Sequence, residues 1–121
     1  EIIDWLKRVR PPWNVNVVAQ RIGAIVLDDM DYLEQSKRKI TEAKEFLLAD
    51  LSRLGFQPLP SDVHYFLVRV GNAQEFRTSL LKHGILVRDC TSFGLPEYVR
   101  IAPRTIPECQ KLTTIIDRVF K

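Results

Sequence analysis

The sequence contains few of the residues that metal sites and disulfide scaffolds require. Only two of its 121 residues are cysteine and only two are histidine. Neither His64 nor His83 has a second ligand at metal-binding spacing, so no metal site is expected and both histidines are interpreted as structural. Cys90 and Cys109 are too few and too widely separated for a secreted disulfide framework. Both are expected to be reduced, with Cys109 in the core.

Glycine and long apolar runs are also scarce. The five glycines are scattered, so there is no glycine-rich phosphate loop. No apolar run approaches the roughly 20 residues of a membrane span, and no secretory signal opens the chain. No membrane partner is therefore expected, and the parent protein is expected in the cytoplasm. Because the chain starts at Glu1 and is helical in pattern from its first residues, we expect it to come from a longer protein.

Neither sign of charge dominates the chain. Eighteen Lys and Arg residues stand against 15 Asp and Glu residues, a net charge of +3. The longest basic run, residues 37–39, lies in a helical pattern with Glu34 and Glu42 one turn away, which is typical of a solvated helix face. Nucleic acid is therefore not expected as a partner. The length and the 45% hydrophobic content predict one domain with one ordinary core.

Three helical patterns occupy the first half. The first nine residues form the first, which Pro11 and Pro12 end. A second runs through Val26 and closes at residues 28–29. From Asp31 to Leu54 the apolar residues recur every three or four positions, which predicts one long amphipathic helix that Gly55 stops.

Strands and shorter helices alternate in the second half. β-Branched and aromatic residues predict strands over 63–70, 85–88 and 98–102. Asn72 with Glu75, and Thr105 with Glu108, resemble capping boxes that open a short helix ending at Gly84 and a terminal helix. This order predicts an α+β fold: a small, mostly antiparallel sheet with helices packed on one face, a two-layer sandwich.

Arginines are the candidate functional residues. Arg88 ends one predicted strand, Arg100 lies at the centre of the next, and Arg104 follows it. A charged residue in mid-strand is costly unless it meets solvent or an anion. Arg100 could lie at an exposed edge or pair with Glu97 or Asp89. Alternatively, its planar guanidinium could bind a ligand carboxylate through two parallel hydrogen bonds.

Cys90 could also be considered as a nucleophile. Its proximity to Arg88 could lower the pKa of the thiol, but no base is indicated nearby. A catalytic cysteine is therefore not expected.

Residues 84–89 followed by 98–102 resemble the C-terminal domain of histidinol-phosphate aminotransferases and their relatives. Residues 11–16 with 19–20, and residues 65–68, are similar to further segments of those enzymes. The resemblance implies a helical interdomain segment over 1–28 and a small C-terminal domain over 29–121. His64 departs from the family, which often has Ala-Asn at this point.

The resemblance also implies a function for the parent enzyme. Pyridoxal 5'-phosphate would be its cofactor, bound by a large domain outside this chain, and the enzyme would be a homodimer acting on a phosphorylated amino acid. The chain alone would bind no cofactor, contain no catalytic residue and be inactive. Arg100 matches the arginine that holds the substrate α-carboxylate, Arg88 one at the phosphate end, and Arg104 is a possible auxiliary.

Two branches of the family compete. Residues 90–95 and 101–105 look more like threonine-phosphate decarboxylase of cobalamin biosynthesis, because the aminotransferase branch usually has Gly where Arg104 stands. Histidinol-phosphate aminotransferase is the alternative. Two other classes also stay open: a free-standing α+β module that binds nucleic acid or a phosphorylated ligand, and a dimerisation or regulatory element.

Overall fold

The structure is a computed structural model that describes residues 1–11 and 14–120. The chain divides into two compact units, Glu1–Glu34 and Gln35–Lys121. The boundary predicted between residues 28 and 29 rests on the resemblance alone and stays a prediction. Pro12, part of the predicted helix stop, and Trp13, part of the segment that carries the resemblance, lie outside the described residues.

The first unit consists of helices. α1 spans Ile2–Val9 and α2 spans Val17–Val26, as the pattern predicted. Asn16 caps α2 because its side-chain oxygen accepts a hydrogen bond from the Ala19 amide at 2.9 Å. Neither helix buries a residue. Their exposed large apolar side chains are Ile2, Ile3, Trp5, Leu6, Val9, Val17, Val18, Ile22, Ile25 and Val26.

The second unit contains the rest of the elements. α3 spans Met30–Arg53, so it begins in the first unit and supplies most of its length to the second. The elements that follow are β1 (Phe66–Arg69), α4 (Ala73–Leu81), β2 (Arg88–Asp89), a 3-10 turn (Thr91–Phe93), β3 (Tyr98–Ile101) and α5 (Ile106–Phe120).

The three strands form an antiparallel sheet in the order β1-β3-β2. β3 is central and pairs antiparallel with both neighbours, with Phe66 opposite Ile101 and Arg88 opposite Arg100. Val99 and Ile101 are buried, whereas Tyr98 and Arg100, which alternate with them along β3, are half-buried. One sheet face therefore packs into the core, and the predicted α+β two-layer arrangement is confirmed.

The core lies between that sheet face and α3, α4 and α5. Leu47 and Leu51 of α3, Leu80 of α4 and Ile116 of α5 are each at most 1% exposed. Phe66 and Val68 of β1 and Val99 of β3 meet them in the same cluster. The three- and four-residue spacing of the helical positions explains this, because it places them on one helix face.

All three strands are shorter than predicted, although β3 differs from its predicted range only in ending at Ile101 instead of Ala102. β1 begins at Phe66 instead of Val63, because the backbone before it is bound elsewhere. The Lys44 ammonium donates hydrogen bonds to the carbonyls of Ser61 and Val63, and the Ser61 hydroxyl donates to the Tyr65 carbonyl. These carbonyls are thereby satisfied outside the sheet.

The second strand begins three residues later than predicted. Gly84 adopts a φ of 72°, and the Ile85 amide donates to the Leu80 carbonyl, so residues 84–85 close α4. β2 consequently covers only Arg88 and Asp89, and Arg88 opens this strand instead of ending it.

Candidate functional site

Arg88 and Arg100 lie on the same face of the sheet. They are direct partners in the antiparallel register of β2 and β3, and directly opposite side chains leave a sheet on the same side. That face is opposite the one that carries the buried Val99 and Ile101. Two positively charged side chains are therefore direct cross-strand neighbours.

A groove of about 630 Å³ brings the three predicted arginines together. Arg88, Arg100 and Arg104 all line it, and two further basic residues, Arg77 of α4 and Lys111 of α5, complete the set. Within the described chain, the groove lining contains one acidic residue, Glu108. Five basic residues against one acidic residue make the groove suited to an anion.

Arg77 and Lys111 were not identified from the sequence. Each lies in a helical pattern, where a basic residue is usually a solvated one. The groove forms because residues of α4 and of the first turns of α5 come together beside β2 and β3, which is a tertiary effect. The residue pattern of either helix alone does not predict this groove.

The salt-bridge explanation for Arg100 is wrong. Glu97 binds Arg69 instead, at 2.9 Å, and Asp89 accepts hydrogen bonds from the amide and hydroxyl of Thr91. In the described part of the chain, no ion pair joins Arg100 to a carboxylate. Its guanidinium carbon lies 4.8 Å from the centre of the Tyr65 ring.

Arg88 is held in a similar way. Its guanidinium lies over the Phe93 ring, 5.4 Å from the ring centre, and its Nη2 donates to the Ser92 hydroxyl at 3.1 Å. Both supporting residues belong to the 3-10 turn that follows β2. Arg88 is exposed, so its remaining N–H groups face solvent and the groove.

Arg104 already has a partner. Its Nε donates to Glu108 at 3.1 Å, an exposed pair one helical turn apart. The hydrogen bond from the Thr105 hydroxyl, followed by that from the Thr105 amide, lowers the pKa of Glu108 below its ordinary value. The predicted pairing of Thr105 with Glu108 is confirmed, although the hydroxyl donates to the carboxylate instead of accepting from the helix backbone.

The suggested activation of Cys90 is wrong. The side chain is 1% exposed, and this burial raises the pKa of the thiol, outweighing the nearby charges of Arg100 and Arg88. Burial likewise raises the pKa of Cys109, which is a core residue as predicted. Both cysteines are free thiols.

Neither a metal site nor a membrane-spanning helix is found in residues 1–11 and 14–120. Within these ranges, no group of three or more histidine, cysteine, aspartate or glutamate side chains is placed where it could hold a metal ion. His64 packs edge-on against Tyr65, with ring centres 5.2 Å apart. None of the helices in this part of the chain combines the length and apolar character that crossing a membrane needs.

Together, these features define a class of protein: a small α+β domain with a basic groove, in which Arg88 and Arg100 each lie over an aromatic ring. The model of the family described as aminotransferase class I and II matches residues 1–118. The chain belongs to this family.

Known relatives agree with this assignment. Over 128 residues the chain is 35% identical to histidinol-phosphate aminotransferase from Methanopyrus kandleri, a match that covers 100% of this chain and 33% of the relative. The chain therefore spans about a third of the length of the curated relatives that it matches.

Two solved structures share the fold and more than a quarter of the sequence. Histidinol-phosphate aminotransferase from Clostridium acetobutylicum has a TM-score of 0.77 and 27% identity, covering 98% of this chain and 37% of that one. L-threonine-O-3-phosphate decarboxylase from Porphyromonas gingivalis has a TM-score of 0.76 and 28% identity, covering 97% of this chain and 39% of that one. The fold of this chain is therefore found both in an aminotransferase and in a decarboxylase.

Enzymes of this family depend on pyridoxal 5'-phosphate. Such a cofactor requires a lysine for imine formation and an acid facing its ring nitrogen. The groove lining offers Lys111 and Glu108, but Lys111 is an exposed residue of α5 and Glu108 is bound by Thr105 and Arg104. The described residues therefore do not supply the groups that this cofactor requires, whereas the basic charge of the groove suits an anion.

Proposed function

We propose that this chain is the substrate-binding, C-terminal part of a pyridoxal-phosphate enzyme that acts on a phosphorylated amino acid. The observation that carries the proposal is the opposition of Arg88 and Arg100 on one sheet face, beside a groove with five basic residues. Like charges placed directly opposite each other destabilise a sheet. An anionic ligand that binds between or beside them offsets that cost.

The two arginines have different roles in this proposal. Arg100 binds the α-carboxylate through two parallel hydrogen bonds, for which a guanidinium has the right geometry. Arg88 binds the phosphate end of the same substrate, and Arg104 adds positive charge at the groove. Because the orientation of the carboxylate decides which bond at the α-carbon breaks, Arg100 acts by positioning.

Within this class we propose L-threonine-O-3-phosphate decarboxylation. Phosphothreonine carries both a carboxylate and a phosphate, so it has an anionic group for each of the two opposed arginines. Arg104 supports this branch, because it stands where aminotransferases of the resembling group usually have glycine and because its side chain lines the groove.

Histidinol-phosphate amino transfer is the second candidate. It is favoured by the 35% identity to the Methanopyrus kandleri enzyme over the whole of this chain. Histidinol phosphate has a phosphorylated hydroxymethyl group where phosphothreonine has a carboxylate, so Arg100 would meet a phosphate ester in one candidate and a carboxylate in the other.

The remaining partners follow from the same proposal. The ten exposed apolar side chains of α1 and α2 would contact the large cofactor-binding domain, since contiguous apolar surface usually marks an interface. The intact enzyme would be a homodimer. The chain by itself would form no imine with pyridoxal phosphate.

The test assays the intact enzyme with both substrates in parallel. Release of carbon dioxide from O-phospho-L-threonine would support the decarboxylase, and amino transfer from L-histidinol phosphate would support the alternative. No turnover of either compound would reject the proposed substrate class. An imine absorption band from the 121-residue chain mixed with pyridoxal phosphate would contradict its role as a substrate-binding part only.

A further inference from the structure

The side chain of Tyr65 lies beneath the guanidinium of Arg100. The distance from the guanidinium carbon to the ring centre is 4.8 Å, which is within the range of a cation–π contact. Tyr65 is half-buried and precedes the buried Phe66, so the alternation along the chain places its ring on the same sheet face as Arg100. Arg100 therefore rests on a ring supplied by the neighbouring chain segment.

Tyr65 is itself anchored to α3. The Ser61 hydroxyl donates a hydrogen bond to the Tyr65 carbonyl at 2.5 Å, and the Lys44 ammonium of α3 donates to the carbonyls of Ser61 and Val63. On the other side, the His64 ring packs edge-on at an interplanar angle of 85°. These contacts fix the backbone from which the Tyr65 ring projects.

A ring beneath the guanidinium has a specific consequence for ligand binding. The ring attracts the cation lying over it but is not a carboxylate acceptor, so it leaves the in-plane N–H donors of the guanidinium free of a bidentate partner. The nearby carboxylates are engaged elsewhere: Glu97 by Arg69, Asp89 by Thr91 and Glu108 by Arg104. The in-plane donors of Arg100 are thus not consumed by a carboxylate of the described chain.

We propose that Tyr65 is a positioning residue that holds the guanidinium of Arg100 in the orientation required to bind a substrate anion. The inference deepens the proposed function and rests on it. Tyr65 acts through its aromatic face and not through its hydroxyl, because the observed contact is with the ring.

A double-mutant cycle on the intact enzyme tests this inference. The variants are Tyr65→Leu, Arg100→Lys and the double variant, each measured as kcat/KM with whichever phosphorylated substrate the enzyme prefers. Tyr65→Leu should lower kcat/KM about 3- to 30-fold, the range of a cation–π contact at a partly desolvated site. In the Arg100→Lys background, the same change should have almost no effect, because the orientation that Tyr65 maintains is already lost.

Two matched variants distinguish the loss of Arg100 positioning from a general loss of protein stability. Tyr65→Phe keeps the ring and should retain turnover, whereas Tyr98→Leu removes a half-buried aromatic ring from the same sheet face, opposite Arg69. The effect of Tyr98→Leu should be the same with and without Arg100. If Tyr65→Leu fails to fold, Tyr65→Met replaces the ring with a flexible side chain of comparable reach and takes its place in the cycle.

The outcomes distinguish the two proposals. An impaired Arg100→Lys enzyme combined with an unimpaired Tyr65→Leu enzyme, or with effects that simply multiply, would overturn the positioning role and leave the proposed function intact. Full activity of Arg100→Lys would overturn the proposed function and the positioning role with it. Loss of activity in Tyr65→Phe would overturn the claim that the ring, and not the hydroxyl, is responsible.

Discussion

Arg100 lies directly opposite Arg88 in the pairing of β2 with β3, a cross-strand position at which two like charges destabilise a sheet. Each rests on an aromatic ring, Tyr65 for Arg100 and Phe93 for Arg88. A ring face attracts a cation without neutralising its charge. The pair is thereby held in place with its charge available to a ligand.

Arg100→Lys should weaken substrate use in the intact enzyme. Lysine keeps the charge but cannot form two parallel hydrogen bonds, and such charge-assisted bonds contribute about 1.5–3 kcal/mol. This corresponds to a decrease in kcat/KM of about 10- to 150-fold. Steady-state kinetics measures it, with thermal unfolding to show that the fold is unchanged.

Arg69→Lys is the matched control for that variant. Arg69 is also a strand arginine, but it forms an exposed ion pair with Glu97. Exposed pairs contribute little, so kcat/KM should stay within about twofold of the unmodified enzyme. A similar loss in both variants would remove the special role assigned to Arg100.

Arg104→Ala should reduce the use of phosphothreonine more than that of histidinol phosphate. Its side chain is 73% exposed, so its effect on an anion is screened by salt. The reduction should therefore shrink when ionic strength is raised. Arg118→Ala, which removes the same charge from the last turn of α5, provides the control.

Cys90 and Cys109 should resist alkylation in the native protein. Both are at most 3% exposed, and burial raises the pKa of both thiols, so at neutral pH the thiolate fraction is smaller than that of a free cysteine. Iodoacetamide labelling followed by mass spectrometry should detect modification only after unfolding. Rapid labelling of Cys90 in the folded chain would contradict the burial described here.

Leu80→Ala should destabilise the fold, whereas Leu81→Ala should not. The two residues are adjacent in α4, but Leu80 is 0% exposed and Leu81 is 47% exposed. Truncating a buried leucine costs about 2–5 kcal/mol, whereas surface changes usually stay within about 0.5 kcal/mol. Urea unfolding of the two variants measures both free energies.

Thr105→Val should destabilise the start of α5 in a pH-dependent manner. The Thr105 hydroxyl bond is the main reason that the pKa of Glu108 lies below its ordinary value of 4.5. A lowered pKa contributes stability above that ordinary value and loses it as the pH falls through the lowered pKa. The melting temperatures of the two proteins should therefore differ most at neutral pH and converge in acid.

An NMR titration of the Glu108 carboxyl group provides the direct check. Its pKa should rise towards the ordinary value in Thr105→Val. Thr114→Val, an exposed change in the middle of α5, should leave the titration of Glu108 unchanged. Identical titration curves in Thr105→Val and the unmodified chain would contradict the role of this hydroxyl.

The sequence by itself determined the helices and their caps. The three- and four-residue spacing in α3 and the pairing of Thr105 with Glu108 are local relationships, and local relationships can be read along a chain. The strand pattern of residues 98–102 likewise marked Arg100 as a charged residue in mid-strand, and the structure buries its neighbours Val99 and Ile101. The three candidate arginines came from the same pattern together with the family resemblance.

Only the tertiary structure decided how these pieces meet. The register that places Arg88 opposite Arg100, the Tyr65 ring under Arg100 and the contributions of Arg77 and Lys111 to the groove all join residues that are distant in sequence. The strand limits depended on Lys44 of α3, which binds carbonyls that the sheet would otherwise use. Such contacts arise when whole elements pack together, so the residue pattern of a single element does not predict them.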